Sequence, residues 1–497
     1  MICVTVGSSV SSAATPKKGG TLTALITAVW PTLDPAGPTI TPNEAVWQPE
    51  FEPLFWTSQT GVESPWLALG AKTTDGGDLI TIKLRQGVKF QDGTPFDASA
   101  VVFNLTRYAS PSVASECVAY FVDMTSASVV SKYVVAIHLA QPDSGFVSLL
   151  GAYQCGMMAS PTAVQSEGAN FGNEPVGTGP FKYTGGSPGT LANFVAWKGY
   201  WGTKPLLSGI TLEEVGSNQA AFDAMQTGEA QFWPIADGVD YQGQARQDGV
   251  VVQVRPAYQN YYVSFSLKYG SPFANPIARE AVFYATDTQS IITNLELNIA
   301  KPIEGVFPEN DFASPPGGRI KGYATYNLAK AKQLVSEIPG GLSFSLLSSN
   351  VPTMVTLDEA LQAQFQAAGM NVTLNPLAGP AEITLVHNLH FQAIAIANPY
   401  LPDPDDVAYR WFYSQSPLSQ NGLDDPAADK LILAARAATR ISTRTALYNK
   451  LDTRLENVDY VWDDLFTLPS WGFLNKDVHG LSYSPTGLVH WNQIWLS

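Results

Sequence analysis

Short β-rich runs alternate with helical stretches along this chain, and that alternation constrains its fold more than any other feature. Thr21–Ile26, Leu79–Arg85, Val134–Leu139 and Tyr261–Phe265 are rich in β-branched and aromatic residues. Leu79–Arg85 also alternates apolar with polar, as a half-buried strand does. Farther along, Phe344–Ser348, Leu357–Ala368, Asn371–Leu374 and Phe391–Ala397 read as strand, helix, strand and strand. Asp97 stands at an N-cap position ahead of a helix beginning at Ala98. Phe222–Gly228 reads as a short helix stopped by glycine. Two longer helices are expected over Ala278–Asn294 and Ala427–Tyr460. On the second, Arg436, Arg440 and Arg444 recur every four residues and are expected on one exposed face. The pattern implies an α/β protein, and no repeat of about 20–50 residues is visible.

The chain has 497 residues, of which 45 % are apolar and 14 % charged. A typical soluble domain is about 25 % charged, so disorder is excluded and a large core is available. The length suits two large lobes or roughly three ordinary domains. With 43 Asp and Glu against 28 Lys and Arg, the net charge is −15. That balance excludes nucleic acid as a partner, because basic patches are needed to displace counterions. No uninterrupted apolar run reaches the roughly 18 residues of a membrane-spanning helix.

The three cysteines, Cys3, Cys117 and Cys155, are too few for a four-cysteine metal site. Cys3 precedes a small, polar stretch through residue 16 that reads as a flexible tether. It is expected to be the lipidated first residue of a mature bacterial lipoprotein, the alternative being an ordinary thiol. Cys117 and Cys155 are expected to close a disulfide loop worth about 3–4 kcal/mol; two separate buried thiols are the alternative.

Catalytic and metal motifs fail on their own chemistry. Gly185-Gly186-Ser187-Pro188-Gly189 matches G-x-S-x-G in letters, but the residue after the serine must donate an N–H and proline has none. A glycine-rich hairpin turn is expected instead. His387 and His390 lack the helical i, i+4 spacing and the glutamate of a zinc protease. Asp403-Pro404-Asp405-Asp406 has Ala408 and Ser414 where a calcium loop wants glycine and glutamate, so an acidic turn opening a helix is expected. No phosphate-binding loop or dinucleotide fingerprint occurs. No catalytic residue, metal or cofactor is expected.

Four ordered segments carry a resemblance. They are Gly19-Gly20-Thr21-Leu22 with Leu33-Asp34-Pro35; Phe51-Glu52-Pro53-Leu54-Phe55 with Gly61 and Pro65-Trp66-Leu67-Ala68; Leu84 through Phe96 (LRQGVKFQDGTPF); and Val176-Gly177-Thr178-Gly179-Pro180-Phe181-Lys182 with Gly199-Tyr200-Trp201. Together they resemble the family-5 solute-binding proteins of bacterial ABC importers, the peptide/nickel class. The resemblance implies a two-lobed periplasmic-binding-protein-like fold that closes on its ligand by hinge motion. It implies a tether over 1–16, lobe I over 17–258 plus 472–497 with an inserted subdomain at about 60–180, and lobe II over 259–471. Crossing segments are expected near Gln259–Ser264 and Pro469–Phe473. The expected partners are a peptide or small-molecule ligand and a membrane permease. The expected location is the outer face of the bacterial membrane or the periplasm, as a lipid-anchored monomer.

The departures from the family pattern bear on the ligand. Dipeptide binders of the family hold the α-amino group with an Asp in a W-x-x-D segment, where this chain has Ala397 and Tyr400. No Lys or Arg occurs between Lys332 and Arg410, where the family's carboxylate clamp would fall. An unpaired buried charge costs several kcal/mol, so a free dipeptide fits poorly. An oligopeptide read through its backbone is the leading expectation; an oligosaccharide or glycoside, or another amphipathic molecule, is the alternative. A regulatory lipoprotein on the same fold is a further one. Ligand contact is expected from Thr39, Ile40, Thr41, Tyr261, Tyr262, Asn398, Tyr400 and Trp411, each of which could instead serve packing.

Overall fold

Two long antiparallel strands, Val251–Phe265 and Trp462–Leu474, organise the molecule. The computed structural model describes residues 15–497 apart from 28, 38–42, 58–62, 75, 114, 116, 153, 237–240, 269, 296–299, 308–310, 350, 351, 378–384, 387, 400–402, 417, 420 and 485–487. Near their far ends the two strands recruit different neighbours. Gln259–Phe265 pairs with Ala393–Pro399, which leads on to Ser343–Ser349 and Asn371–Leu377. Trp471–Leu474 pairs with Phe232–Ala236, followed by Thr21–Ile26, Gly209–Glu214, Leu191–Ala196 and Phe181–Ser187. One sheet therefore runs through both halves of the molecule. The ladder between the two long strands is regular except for a shift between Val254 and Tyr258 and a bulge between Tyr261 and Tyr262.

The two faces of this sheet are packed differently. On one, a single apolar cluster extends from Leu25, Phe222 and Trp233 through Phe473, Trp471 and Leu468 to Val263, Phe265 and Leu361. On the other, Leu22, Ala24, Phe232, Leu474 and Trp491 form one cluster, and Tyr262, Trp411, Phe412, Tyr448 and Trp462 form another. Side chains alternate between faces along a strand, so this division follows from the sequence of each strand.

A second, four-stranded antiparallel sheet runs Ala68–Thr73, Leu79–Leu84, Val134–Leu139 and Met124–Ser131. Helix Ala98–Tyr108 lies on it, burying Val101 and Leu105 with Ile80, Ile82 and Ile137. Asp97 caps that helix through the Ser99 and Ala100 N–H groups, at 3.0 and 3.3 Å. Cys117 and Cys155 are joined as a disulfide across this core, Cα–Cα 5.6 Å. Replacing both by alanine is expected to cost about 3–4 kcal/mol in urea unfolding, because the bond closes a loop of 38 residues in the unfolded chain. Cys3 lies outside the described residues.

The motif glycines serve this junction. Gln91 donates to the Gly179 and Phe181 carbonyls at 3.1 and 2.9 Å, tying the tight Asp92–Thr94 turn to the Val176–Lys182 segment. A Cβ on Gly177 or Gly179 would stand 2.1 or 2.5 Å from Glu50 backbone atoms. Only glycine lets these two chains approach so closely.

Three expectations are corrected. Ala278–Asn294 is two helices, Pro276–Ala285 and Thr288–Asn294, because Asp287 caps the second through the Ser290 N–H. Ala427–Tyr460 is likewise broken, into Pro426–Ala437, Ile441–Arg454 and a wider turn Leu455–Asp459. Arg436 and Arg444 do not share an exposed face with Arg440; they are 3 % and 5 % exposed. The break at Ala438 re-aims the second helix, and both guanidinium groups find carboxylates inside.

Candidate functional site

On the face that carries two clusters, here the front, the gap between them lies where the long strands run from one half to the other, and the face with the single cluster is the back. Asn260 stands there, two residues from Tyr262 and so on the same face. Thr467 is directly opposite it, between Phe466 and Leu468, which both belong to the back cluster. Asn398 is opposite Asn260 on the other side. Asn260 and Thr467 thus form a polar row across adjacent strands; Asn398 is placed by its strand pairing, and its side chain lies outside what is described. Asn260 Oδ1 and Thr467 Oγ are buried without a hydrogen-bond partner among the described residues, and Thr467 is 1 % exposed. Leaving such an atom unsatisfied costs about 1–3 kcal/mol, so the row is a place where an arriving donor is rewarded.

The residues expected from sequence fall in several places. Tyr262 is fully buried and stacks on Trp462 with ring centres 3.7 Å apart; Trp411 packs against the same indole at 5.3 Å. Tyr261 lies on the opposite face, stacked on Phe466, and its hydroxyl donates to Gln259 Oε1 at 3.3 Å. Thr39, Ile40, Thr41 and Tyr400 lie outside the described residues. Sequence reasoning missed Asn260 and Thr467, although each is a polar residue set among β-forming neighbours, in Gln259-Asn260-Tyr261 and Phe466-Thr467-Leu468.

On the lobe that carries Thr21–Ile26, Glu52 is buried in an aromatic cage. It accepts from Trp66 Nε1 at 2.9 Å, Tyr200 hydroxyl at 2.6 Å and Trp201 Nε1 at 2.7 Å. Burial pushes its carboxyl up to about 7 against the pull of these donors. The Glu52, Trp66 and Tyr200-Trp201 positions of the sequence motifs therefore join one buried scaffold contact.

Across the gap, the acidic turn meets the four-stranded sheet domain. Asp403 caps helix Pro404–Val407 and accepts Arg444 Nη1 at 2.9 Å. Arg436 reaches across, donating from Nε to Asp405 at 3.0 Å, from Nη1 to Asp123 at 2.5 Å and from Nη2 to Asp143 at 2.7 Å. Its guanidinium lies 3.6 Å from the centre of the Tyr409 ring. Ser144 N–H donates to the Arg436 carbonyl at 3.1 Å. A separate depression of about 480 Å³, lined by Lys268, Ser345, Leu347, Asn375 and His390, lies at the opposite end of Val251–Phe265. Among the described residues, no group of three or more His, Cys, Asp or Glu is placed to hold a metal ion, and no helix is long and apolar enough to cross a membrane.

Residues 63–419 match the model of the bacterial extracellular solute-binding proteins, family 5 Middle. The chain belongs to that family. The glutathione-binding protein GsiB of Salmonella paratyphi A is 32 % identical over 355 residues, covering 70 % of this chain and 67 % of that protein. Two solved structures share the two-lobed fold. The oligopeptide-binding protein AppA of Bacillus subtilis, in complex with a nonapeptide, matches with TM-score 0.81 and 20 % identity over 97 % of this chain and 100 % of its own. The periplasmic binding protein DppA of Helicobacter pylori, in complex with the peptide STSA, matches with TM-score 0.81 and 19 % identity over 97 % and 99 %. This family-5 protein is thus an extracytoplasmic solute-binding protein, and Asn260 and Thr467 lie on the two long strands that run through both halves of its fold.

Proposed function

We propose that this family-5 protein captures an oligopeptide between its lobes and delivers it to the permease of an ABC importer, without catalysing any reaction on it. The observation that carries the reading is the cleft floor, where Asn260 and Thr467 present oxygen acceptors with no partner among the described residues. Peptide N–H groups match such acceptors at any residue of a bound peptide. Lobe I is read as 17–258 plus 472–497 with its inserted subdomain at about 60–180, and lobe II as 259–471. The tether through residue 16 and lipidation of Cys3 would hold a monomer at the outer face of the membrane.

The glutathione-binding relatives make reduced glutathione a natural first probe. The stretch between Lys332 and Arg410 has no basic residue to meet its two carboxylates, so longer, less charged peptides are expected to bind more tightly. Mass spectrometry of material released on denaturation is expected to show a set of peptide masses; a single hexose-spaced mass would overturn the peptide assignment. With a peptide so identified, Asn260→Ala and Thr467→Val should each weaken binding about 5- to 10-fold by calorimetry, one neutral hydrogen bond apiece.

A further inference from the structure

The seam around Arg436 holds more acid than base. Asp123 and Asp143 come from the sheet domain, Asp403, Asp405 and Asp406 from the acidic turn, and all five are buried. The cations facing them are Arg436, Arg444 and Arg410. Glu63 and Asp311 add two more carboxyls beside Asp403 and Arg444. The remaining polar neighbours are neutral. Gln141 donates to Asp123 at 3.3 Å and to the Tyr409 hydroxyl at 3.4 Å, Tyr448 donates to Asp405 at 3.3 Å, and Tyr120 stacks under Arg410 at 4.3 Å. Asp406 Oδ2 is buried without a partner among the described residues. Full ionisation would leave at least two buried negative charges uncompensated, which a low-dielectric seam does not tolerate.

We propose that closing the lobes takes up a proton onto this carboxyl cluster, so that the closed form is favoured by acid and released as the pH rises. The inference rests on the reading that the lobes open and close. When they part, Asp123 and Asp143 leave Arg436, and water reaches the acidic turn. When they meet, burial raises Asp405 to about 7, with Arg436 pulling down and Asp143 and Asp403 pushing up. Asp406 is raised for the same first reason. A carboxyl whose closed-state value is raised binds its proton more tightly when closed. The ratio of closed to open molecules is therefore highest below the ordinary carboxyl range. Between that range and the closed-state value it falls by up to about tenfold per pH unit.

Small-angle scattering of the ligand-free protein tests this. The expected result is a smaller radius of gyration at pH 5.5 than at pH 8.5. Asp405→Asn, a permanently neutral mimic, should stay compact at both, and Arg436→Met should be expanded at both. Circular dichroism checks that each variant is folded, and Asp143→Ala substitutes for Arg436→Met if that variant is not. If either latch variant expands the molecule but pH does not, the lobes move and the proton linkage is wrong. An Asp405→Asn variant that keeps the wild-type pH response also overturns it. If neither variant nor pH changes the radius, the opening motion itself is refuted.

Discussion

Raising the pH from 5 to 8 is expected to lower the melting temperature of this protein by roughly 10 °C. The cause lies beneath the long strand Trp462–Leu474. Asp463 and Asp464 on that strand are buried, as are Asp452 and Glu456 on the helix and turn that pack against it. Both Glu456 oxygens and Asp452 Oδ2 have no hydrogen-bond partner among the described residues. The groups around them do little to offset four negative charges. Asp464 accepts the Gly305 N–H, Asp452 the Val306 N–H, and Asp463 the Thr286 hydroxyl. Tyr323 donates to the Asp464 carbonyl, Glu304 adds acid, and Arg279 is spent on the Asp459 and Phe273 carbonyls. Arg454 holds Asp425. Burial pushes Asp463 up to about 7 and Asp452, Glu456 and Asp464 well above the carboxylate range; repulsion from Asp452 and Asp463 adds to it at Glu456 and Asp464, and repulsion from Asp311 at Asp452. A carboxyl raised in the folded state stabilises it fully below the unfolded value near 4, and that contribution is lost as the pH climbs through the folded value. Scanning calorimetry across this range measures the slope. A melting temperature that rises toward pH 8 would refute the account, and Glu456→Gln should flatten the curve.

Arg444→Met is expected to destabilise the protein by about 3–5 kcal/mol, because it strands Asp403 as an unpaired buried charge. Arg444 holds both Asp403 oxygens and lies over Phe312 at 5.0 Å. Asp403 in turn caps the Asp405 N–H, so its loss of a partner reaches the whole acidic turn. The comparison variant is Arg319→Met. Its pairing with Glu304 at 3.3 Å is 80 % exposed on the arginine side, and an exposed pair is worth about 1 kcal/mol or less. Urea midpoints that fall equally in the two variants would show that burial does not set the value of the Arg444 pair.

Much of the fold was legible because its local signals agreed. Thr21–Ile26 and Val134–Leu139 are strands over the very residues whose composition marked them. Asp97 caps a helix, Gly228 ends one in a left-handed conformation, and the Gly185–Gly189 stretch turns a hairpin. What was not legible depended on partners distant in sequence. Arg436 reads as a surface residue on a helical wheel, and only the approach of Asp123 and Asp143, about 300 residues earlier, makes it a buried contact with the four-stranded sheet domain. Tyr262, near the expected crossing, and Trp411, after the acidic turn, stand out in the sequence as aromatic residues, and both pack around Trp462. The small polar side chains between them, Asn260 and Thr467, carry no pattern that distinguishes a cleft floor from an ordinary strand until both faces of the sheet are known.

The unequal packing of the two sheet faces limits how the molecule can deform. A shared ladder resists sliding of one lobe past the other, and a shared apolar mass behind it resists twisting. Flexing toward the back compresses an interior already filled to the density of a solid, whereas flexing toward the front separates only the surfaces that meet there. One soft coordinate remains. A membrane partner that grips both lobes can therefore sense whether cargo is aboard from a single angle, with no contact to the cargo itself.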